Sequence, residues 1–551
     1  LKKPEDIKMR FRQVHLDFHT SEDIENVGGE FSKEQFQNAL KTGHVDSITV
    51  FSKCHHGWAY HPSSANVMHP NLHFDLLGAE IEAAHEIGVK TPVYLSAGLD
   101  ERMARLHPEW LIRNIDETIA WTPTFDQPGY HRFCFNTPYL DILLSEIEEV
   151  VKNYDADGIF LDIVAVIPCY CQTCVKERKE AGFDPYDPEQ AYKHAVKTYL
   201  NYTRRVRESI DKYKPGLPVF HNAGHLVCGR RDFAHANTHL ELESLPTGGW
   251  GYDHFPLSAG YARTLNMDFL GMTGKFHGSW GEFGGFKHPN ALRYEAALSV
   301  ANGAKVSIGD QLHPLGKMEP ATYKLIGEAF ADIETKDPWL DDVESVADIA
   351  ILSQEALFGH MHPGECPPGK NSWTGATGAS RILLEGKYLF DVVDCDGDFD
   401  KYKLIIMTDD EMIDDVMAEK LKSFVDGGGK ILATGDSALY SDGRGFAFDL
   451  GAEYKGECEY DPAYIRPKFE MDGLWEAPYA IYQRPNEINA TGKVLAYREN
   501  PYFNRTTLHF SSHAQTPNDP SKLYPAMTLG PDGIYIAFKL FGEYATNGAL
   551  I

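Results

Sequence analysis

The chain of 551 residues has no apolar run of the roughly 18 residues that a membrane-spanning helix needs, which argues against such a helix. Positive charge is scarce: 52 Lys and Arg stand against 80 Asp and Glu, for a formal net charge of −28. An acidic excess of this size repels phosphate backbones and anionic lipid, so neither nucleic acid nor a membrane is expected as a partner. Nine cysteines are too few for a disulfide scaffold of this length, and three of them crowd into IPCYCQTC. That crowding points to a metal site in a reducing compartment, and the cytoplasm is expected. The N-terminal LKKPEDIKMRFRQ lacks the apolar core of a signal peptide, although the missing initiator Met leaves a removed segment open. No internal repeat, low-complexity tract or HExxH motif occurs.

What is present is a long alternation. Apolar runs read as strands at FRQVHLDF, VDSITVF, KTPVYLSAG, DGIFLDIV, LPVFHN, HLELES, DFLGMTG and AKVSIGD. Amphipathic helical patterns such as Asp75–Gly88 and Tyr139–Asn153 lie between them. Strand–helix alternation without hairpin signals predicts a parallel sheet, and eight repeats predict a (β/α)8 TIM-like barrel over residues 1–340. A doubly wound open sheet is the alternative. After KDPWLDDVESVADIAIL the pattern restarts, which predicts a smaller α/β flavodoxin-like domain over 341–551. Its strands are read at ADIAILS, YKLIIMT, KILATGD and GIYIAF, and DGGGKIL reads as a helix C-cap running into a strand. Residues 455–530, rich in Pro, Asn and aromatics, read as an insertion. The helical pattern KLFGEYATNGALI runs to the last residue, from which a further C-terminal module is expected.

In a barrel, functional groups belong at the C-terminal strand ends. Asp162 closes DGIFLD after a buried apolar run, and a carboxylate there suits a nucleophile better than a structural cap. Glu241 and Glu243, two apart in HLELES, share one face of their strand. If Leu240 and Leu242 pack outward, both face the barrel interior and one is a candidate general acid/base; Glu243 is nearer the mouth. An Asp and a Glu so placed form the carboxylate pair of a glycosidase. Around them His19, His55, His56, Trp58, Tyr60, His221, Asn222, Trp250, His277, Trp280 and Glu282 follow strand ends and are expected to line a sugar site. Hydroxyl groups need hydrogen bonds and C–H faces need flat aromatics. A catalytic zinc or manganese held by the histidines is the weaker alternative. Cys169, Cys171 and Cys174 form CxCxxC, and Cys134 is the best fourth ligand for a tetrahedral structural zinc. No catalytic cofactor is expected.

With these residues in view, the barrel resembles the α-L-fucosidases of glycoside hydrolase family 29 and their relatives in family 151. KCHHGW resembles the loop whose paired histidines bind the sugar, here His55 and His56. YDADGIFLD follows the nucleophile pattern Y-x-x-D-x-x-W-x-D, with Phe160 at the Trp position and Asp162 as nucleophile. His19 falls nearest the family's first-strand histidine. The acid/base position varies among relatives, so Glu243 and Glu241 both remain open. The cysteine cluster resembles the structural zinc site of family 42 β-galactosidases. Residues 345–551 resemble the trimerisation domain of those enzymes, a glutamine-amidotransferase-like fold without its chemistry. The resemblance implies an exo-acting, retaining α-L-fucosidase taking terminal fucose from oligosaccharides, and a homo-oligomer, possibly a trimer. A β-galactosidase with Glu282 as nucleophile and a non-catalytic sugar-binding barrel are the alternatives.

Overall fold

Each of the eight apolar runs forms a buried strand in the computed structural model, which describes residues 9–369 and 372–547. The strands are β1 (Arg12–Asp17), β2 (Ser47–Lys53), β3 (Pro92–Ser96), β4 (Gly158–Asp162), β5 (Val219–His221), β6 (Leu240–Glu243), β7 (Phe269–Gly274) and β8 (Lys305–Gln311). They pair in parallel in the order β5-β4-β3-β2-β1-β8-β7-β6. This is a TIM barrel, nearly closed: β5 and β6 meet without a ladder. Near the start of β5 the gap is tied by Thr238, whose amide reaches the Val219 carbonyl at 3.0 Å. The Asn237 side-chain oxygen also accepts from the His221 amide at 2.7 Å.

The helices bury their apolar stripes on this sheet. In the helix Tyr139–Asn153, Tyr139, Leu143, Ile147 and Val150 recur at helical spacing and are buried. Among the described residues, no helix is long and apolar enough to cross a membrane.

A second α/β unit follows. Its strands β9 (Ile349–Leu352), β10 (Phe390–Val393), β11 (Leu404–Met407) and β12 (Lys430–Thr434) run parallel in the order β10-β9-β11-β12. The short run FDVV of β10 has no counterpart in the sequence reading. The helix Asp415–Asp426 ends at Gly427, and Gly428 takes a left-handed φ of 103° before β12 begins. The stretch read as an insertion extends the sheet. Strands Ala463–Pro467, Tyr479–Ile481, Lys493–Glu499 and Tyr524–Leu529 add to it antiparallel, beyond Gly533–Ile536. The closing helix is described as Leu540–Asn547; the predicted continuation to residue 551 lies outside the described residues.

The units share an apolar cluster in which Phe255 and Ala259 of the barrel pack with Phe390 and Val392 of β10. Charge pairs frame it. Arg231 grips Asp394 through two contacts of 2.8 and 2.9 Å, and Arg381 meets Asp253 at 3.0 Å.

Candidate active site

Side chains two apart on a strand share a face, so the barrel interior is built in layers. The lower layer is aromatic. Phe51 stacks on Tyr94 at 3.8 Å, His15 leans on Phe160 at 4.8 Å, and Phe160 meets Phe220 edge-on at 5.3 Å. One step nearer the mouth the same alternation sets Asp17, Ser96, Asp162 and Asn222. The apolar floor thus carries a polar ring.

Asp162 and Glu243 sit in this ring. The Tyr94 hydroxyl donates to Asp162 at 2.6 Å, and the Ile163 amide donates to its other oxygen at 2.8 Å. Ile163 itself has φ 60°, a left-handed conformation costly for a β-branched residue and a mark of backbone held for a purpose. Gly98 makes room for this turn: a Cβ there would lie 1.9 Å from the Ile163 carbonyl oxygen. The Asn222 amide nitrogen donates to Asp162 at 2.8 Å and to Glu243 at 3.2 Å. Burial, and then the Asp162 charge, push the Glu243 carboxyl up to about 7. Glu241 shares the inward face but lies one step lower. It takes hydrogen bonds from His239 at 3.0 Å and Gln13 at 3.5 Å.

Histidines wall one side. His19 stacks on His55 at 4.0 Å, and the His19 Nδ1 accepts from the His55 amide at 3.1 Å. The Ser96 hydroxyl donates to the Leu99 carbonyl at 2.8 Å, so its oxygen accepts from the His55 Nδ1 at 2.6 Å. That leaves the His55 Nε2 as a lone pair, 3.7 Å from Asp162. Burial, and then the neighbouring His19, hold His55 well below the ordinary imidazole range, in its neutral form. Burial, and then His19, also bring His56 down to about 4, and its Nε2 pairs with the Tyr130 hydroxyl at 3.0 Å. Asp17 lies 3.6 Å from both His15 and His19; although burial opposes its charge, hydrogen bonds to these two rings hold its carboxyl well below the usual range. Trp280 reaches over the floor to within 6.2 Å of the His15 ring. Trp58 stands on the rim, its indole N–H donating to Glu22 at 3.2 Å with the Arg102 guanidinium over its ring.

Other expected site residues lie elsewhere. Tyr60 is fully buried, its hydroxyl donating to the Phe18 carbonyl at 2.9 Å, so it is a strut beneath the histidine loop. His221 neighbours Asn222 on the strand and therefore faces the other way, toward Tyr202 of the helix Pro188–Asp211 at 3.0 Å. Trp250 packs against His254 and lines a cleft of about 680 Å³ shared with the second unit, whose lining includes neither Asp162 nor Glu243. Glu282 is turned back on its own loop, accepting from the His277 and Gly278 amides at 2.5 and 2.7 Å. These amides hold its carboxyl below the usual range and leave His277 an exposed turn residue.

Three contributors escaped the sequence reading. Tyr94 shares the strand face of Ser96, and β3–β4 pairing sets Ser96 beside Asp162, so the alternation already contained the signal. Tyr130 and Arg132 come from the long loop after β3 and carried none. Burial brings Arg132 down to about 10, against the pull of the Asp162 charge.

The loops after β3 and β4 also carry the thiols. Cys134, Cys169, Cys171 and Cys174 are buried, and their sulfurs lie within 4.8 Å of one another, with 3.5 Å between Cys134 and Cys174. Four thiolates at this spacing fit a tetrahedral metal ion, whose ligands about 2.3 Å from it would stand roughly 3.8 Å apart.

Comparisons with known proteins agree with this architecture. A family model described as hypothetical glycosyl hydrolase 6 matches residues 32–163. A search of curated proteins finds no match. Among solved structures, α-L-fucosidase isoenzyme 2 from Paenibacillus thiaminolyticus is 52% identical, with a TM-score of 0.94 over 98% of this chain and 82% of that one. A cold-adapted β-galactosidase from Rahnella sp. R3 superposes with a TM-score of 0.69 at 16% identity, over 93% of this chain and 84% of that one. A β-galactosidase from Bacillus circulans sp. alkalophilus gives 0.69 at 15%, over 93% and 85%. The last two share the fold alone. The barrel, its paired carboxyl groups and the 52% identity together place this chain in the glycoside hydrolase family of the Paenibacillus α-L-fucosidase, and it is a glycosidase.

Proposed function

We propose that this glycosidase is an exo-acting α-L-fucosidase that retains anomeric configuration through a covalent intermediate. The observation that carries this reading is the shared Asn222 nitrogen, which keeps the nearest oxygens of Asp162 and Glu243 within about 6 Å. Retaining glycosidases hold their two carboxyl groups roughly 5–5.5 Å apart; inverting enzymes need more room for a water. The fucoside specificity rests on the likeness to the Paenibacillus enzyme.

In this mechanism Asp162 attacks the anomeric carbon while Glu243, which holds its proton up to about pH 7, gives it to the departing oxygen. The C–O bond to the leaving group breaks as the ester to Asp162 forms. Esterification removes the Asp162 charge, one of the forces holding the Glu243 proton. Glu243 then becomes the base that takes a proton from water as it attacks the same carbon, which releases the sugar and frees Asp162. The His55 lone pair beside Asp162 would accept a sugar hydroxyl proton, and His19, His56, Trp58 and Trp280 would hold the remaining faces. Asp162→Asn should reduce hydrolysis of an aryl α-L-fucoside by about 10³-fold or more. An Asp162→Asn enzyme that keeps wild-type turnover, or a wild type inert on every fucoside, would overturn the reading.

The four thiols would hold zinc, closed to substrate and structural. Metal analysis should find one zinc per chain in wild type. Cys171→Ser should lose it and melt at lower temperature, and full occupancy in that variant would refute the assignment.

A further inference from the structure

The gap between β5 and β6 opens a slot through the barrel wall. β5 is only three residues long; Thr238 ties its first residue, Val219, and Asn237 its last, His221. Past them a cavity of about 290 Å³ runs from the inward-facing Asn222 to the outward-facing Leu240. Its walls are largely apolar, with Tyr199, Leu226, Phe233 and Pro367 of the second unit among them, although Arg230, Glu241 and Glu355 also line it. His221 lines it, with its Nδ1 held by Tyr202 and its Nε2 sealed inside the wall. A dry apolar cavity of about 150 Å³ takes a benzene ring, so this one has room for a bicyclic group.

The position tells which part of a substrate would enter. The residues proposed to grip the sugar come from β1, β2 and the loop after β7. Glu243, the proposed proton donor to the departing oxygen, ends β6; neither it nor Asp162 lines the slot, but Asn222, which does, donates to both. We propose that the β5/β6 slot is the leaving-group subsite and that it takes a flat, largely apolar aglycone. This assignment rests on the glycosidase reading given above.

The test uses the full chain and two substrates, α-L-fucosyl fluoride and 2-naphthyl α-L-fucoside, with 2-naphthol as a binding probe. Val227→Trp fills the slot from the loop after β5, and Pro367→Trp fills it from the second unit. Both variants should weaken 2-naphthol binding at least tenfold and raise KM for the naphthyl fucoside at least tenfold. Fluoride hydrolysis should stay within about twofold of wild type. The proposal is overturned if wild type does not bind 2-naphthol, if both folded variants bind it like wild type, or if the two substrates suffer equally. A wild type that hydrolyses neither substrate also overturns it; the naphthol titration then shows whether the fault lies in the slot or in the reaction assigned to the barrel.

Discussion

Glu243 holds its proton up to about pH 7 because burial and the Asp162 charge both oppose its ionisation. The folded state therefore binds that proton more tightly than the unfolded chain does. The stabilisation is fully present below about pH 4.5 and fades as pH rises toward about 7, a loss of about 3 kcal/mol. Activity should fall over the same upper range as the acid is lost. Glu243→Gln cannot ionise, so it should melt above wild type at pH 8, match it near pH 4.5 and lose most activity at both. A Gln variant that melts below wild type at pH 8 would contradict this account. The strand residues of the site were legible because parity on a strand is strict: Asp162, Glu243 and Asn222 all fall on inward positions. The same rule turns His221 outward, and taking both neighbours as site residues overlooked it. Tyr60 and Glu282 sit in loops, where no period says which way a side chain turns.

At the level of elements, the histidine loop hangs from the end of β2. A bulge between Phe51 and Lys53 breaks the alternation and swings Lys53 out of the barrel. There it is fully buried between Glu146 at 2.7 Å and Asp100 at 3.4 Å, with the Tyr139 hydroxyl at 3.3 Å. Lys53→Met would strand two buried carboxyl groups and should cost about 3–5 kcal/mol, seen as a lower melting temperature. Because His55 and His56 follow directly, KM should rise as well; an unchanged melting temperature would show that the cluster carries no stability. The eight barrel strands were readable because each is an apolar run flanked by turn residues. β10 was not, since the four residues FDVV, with an Asp inside them and another just after, look like many buried loops. The antiparallel strands after residue 455 were hidden by exposed aromatics, which a two-layer core does not require.

Those aromatics matter for the whole molecule. Trp475, Leu508 and Phe510 are 78%, 85% and 65% exposed, far more than side chains of this size need be in a lone chain. They fit a face that associates with another copy, the homo-oligomer, possibly a trimer, expected from the sequence. Sedimentation equilibrium should give about three times the 61.8 kDa chain mass, and Leu508→Glu with Trp475→Glu should reduce it to that of one chain. A wild type that sediments as a single chain would remove the basis for this arrangement.

The unlaced junction of β5 and β6 has a consequence for how the enzyme fails. A fully closed barrel has no loose end, but this one is a strip of eight strands whose two margins are only basted together. Heat would part that stitching before it breaks any ladder. Asp162 and Asn222 lie on one side of the parting and Glu243 on the other, so catalysis would be lost while most of the fold still stood.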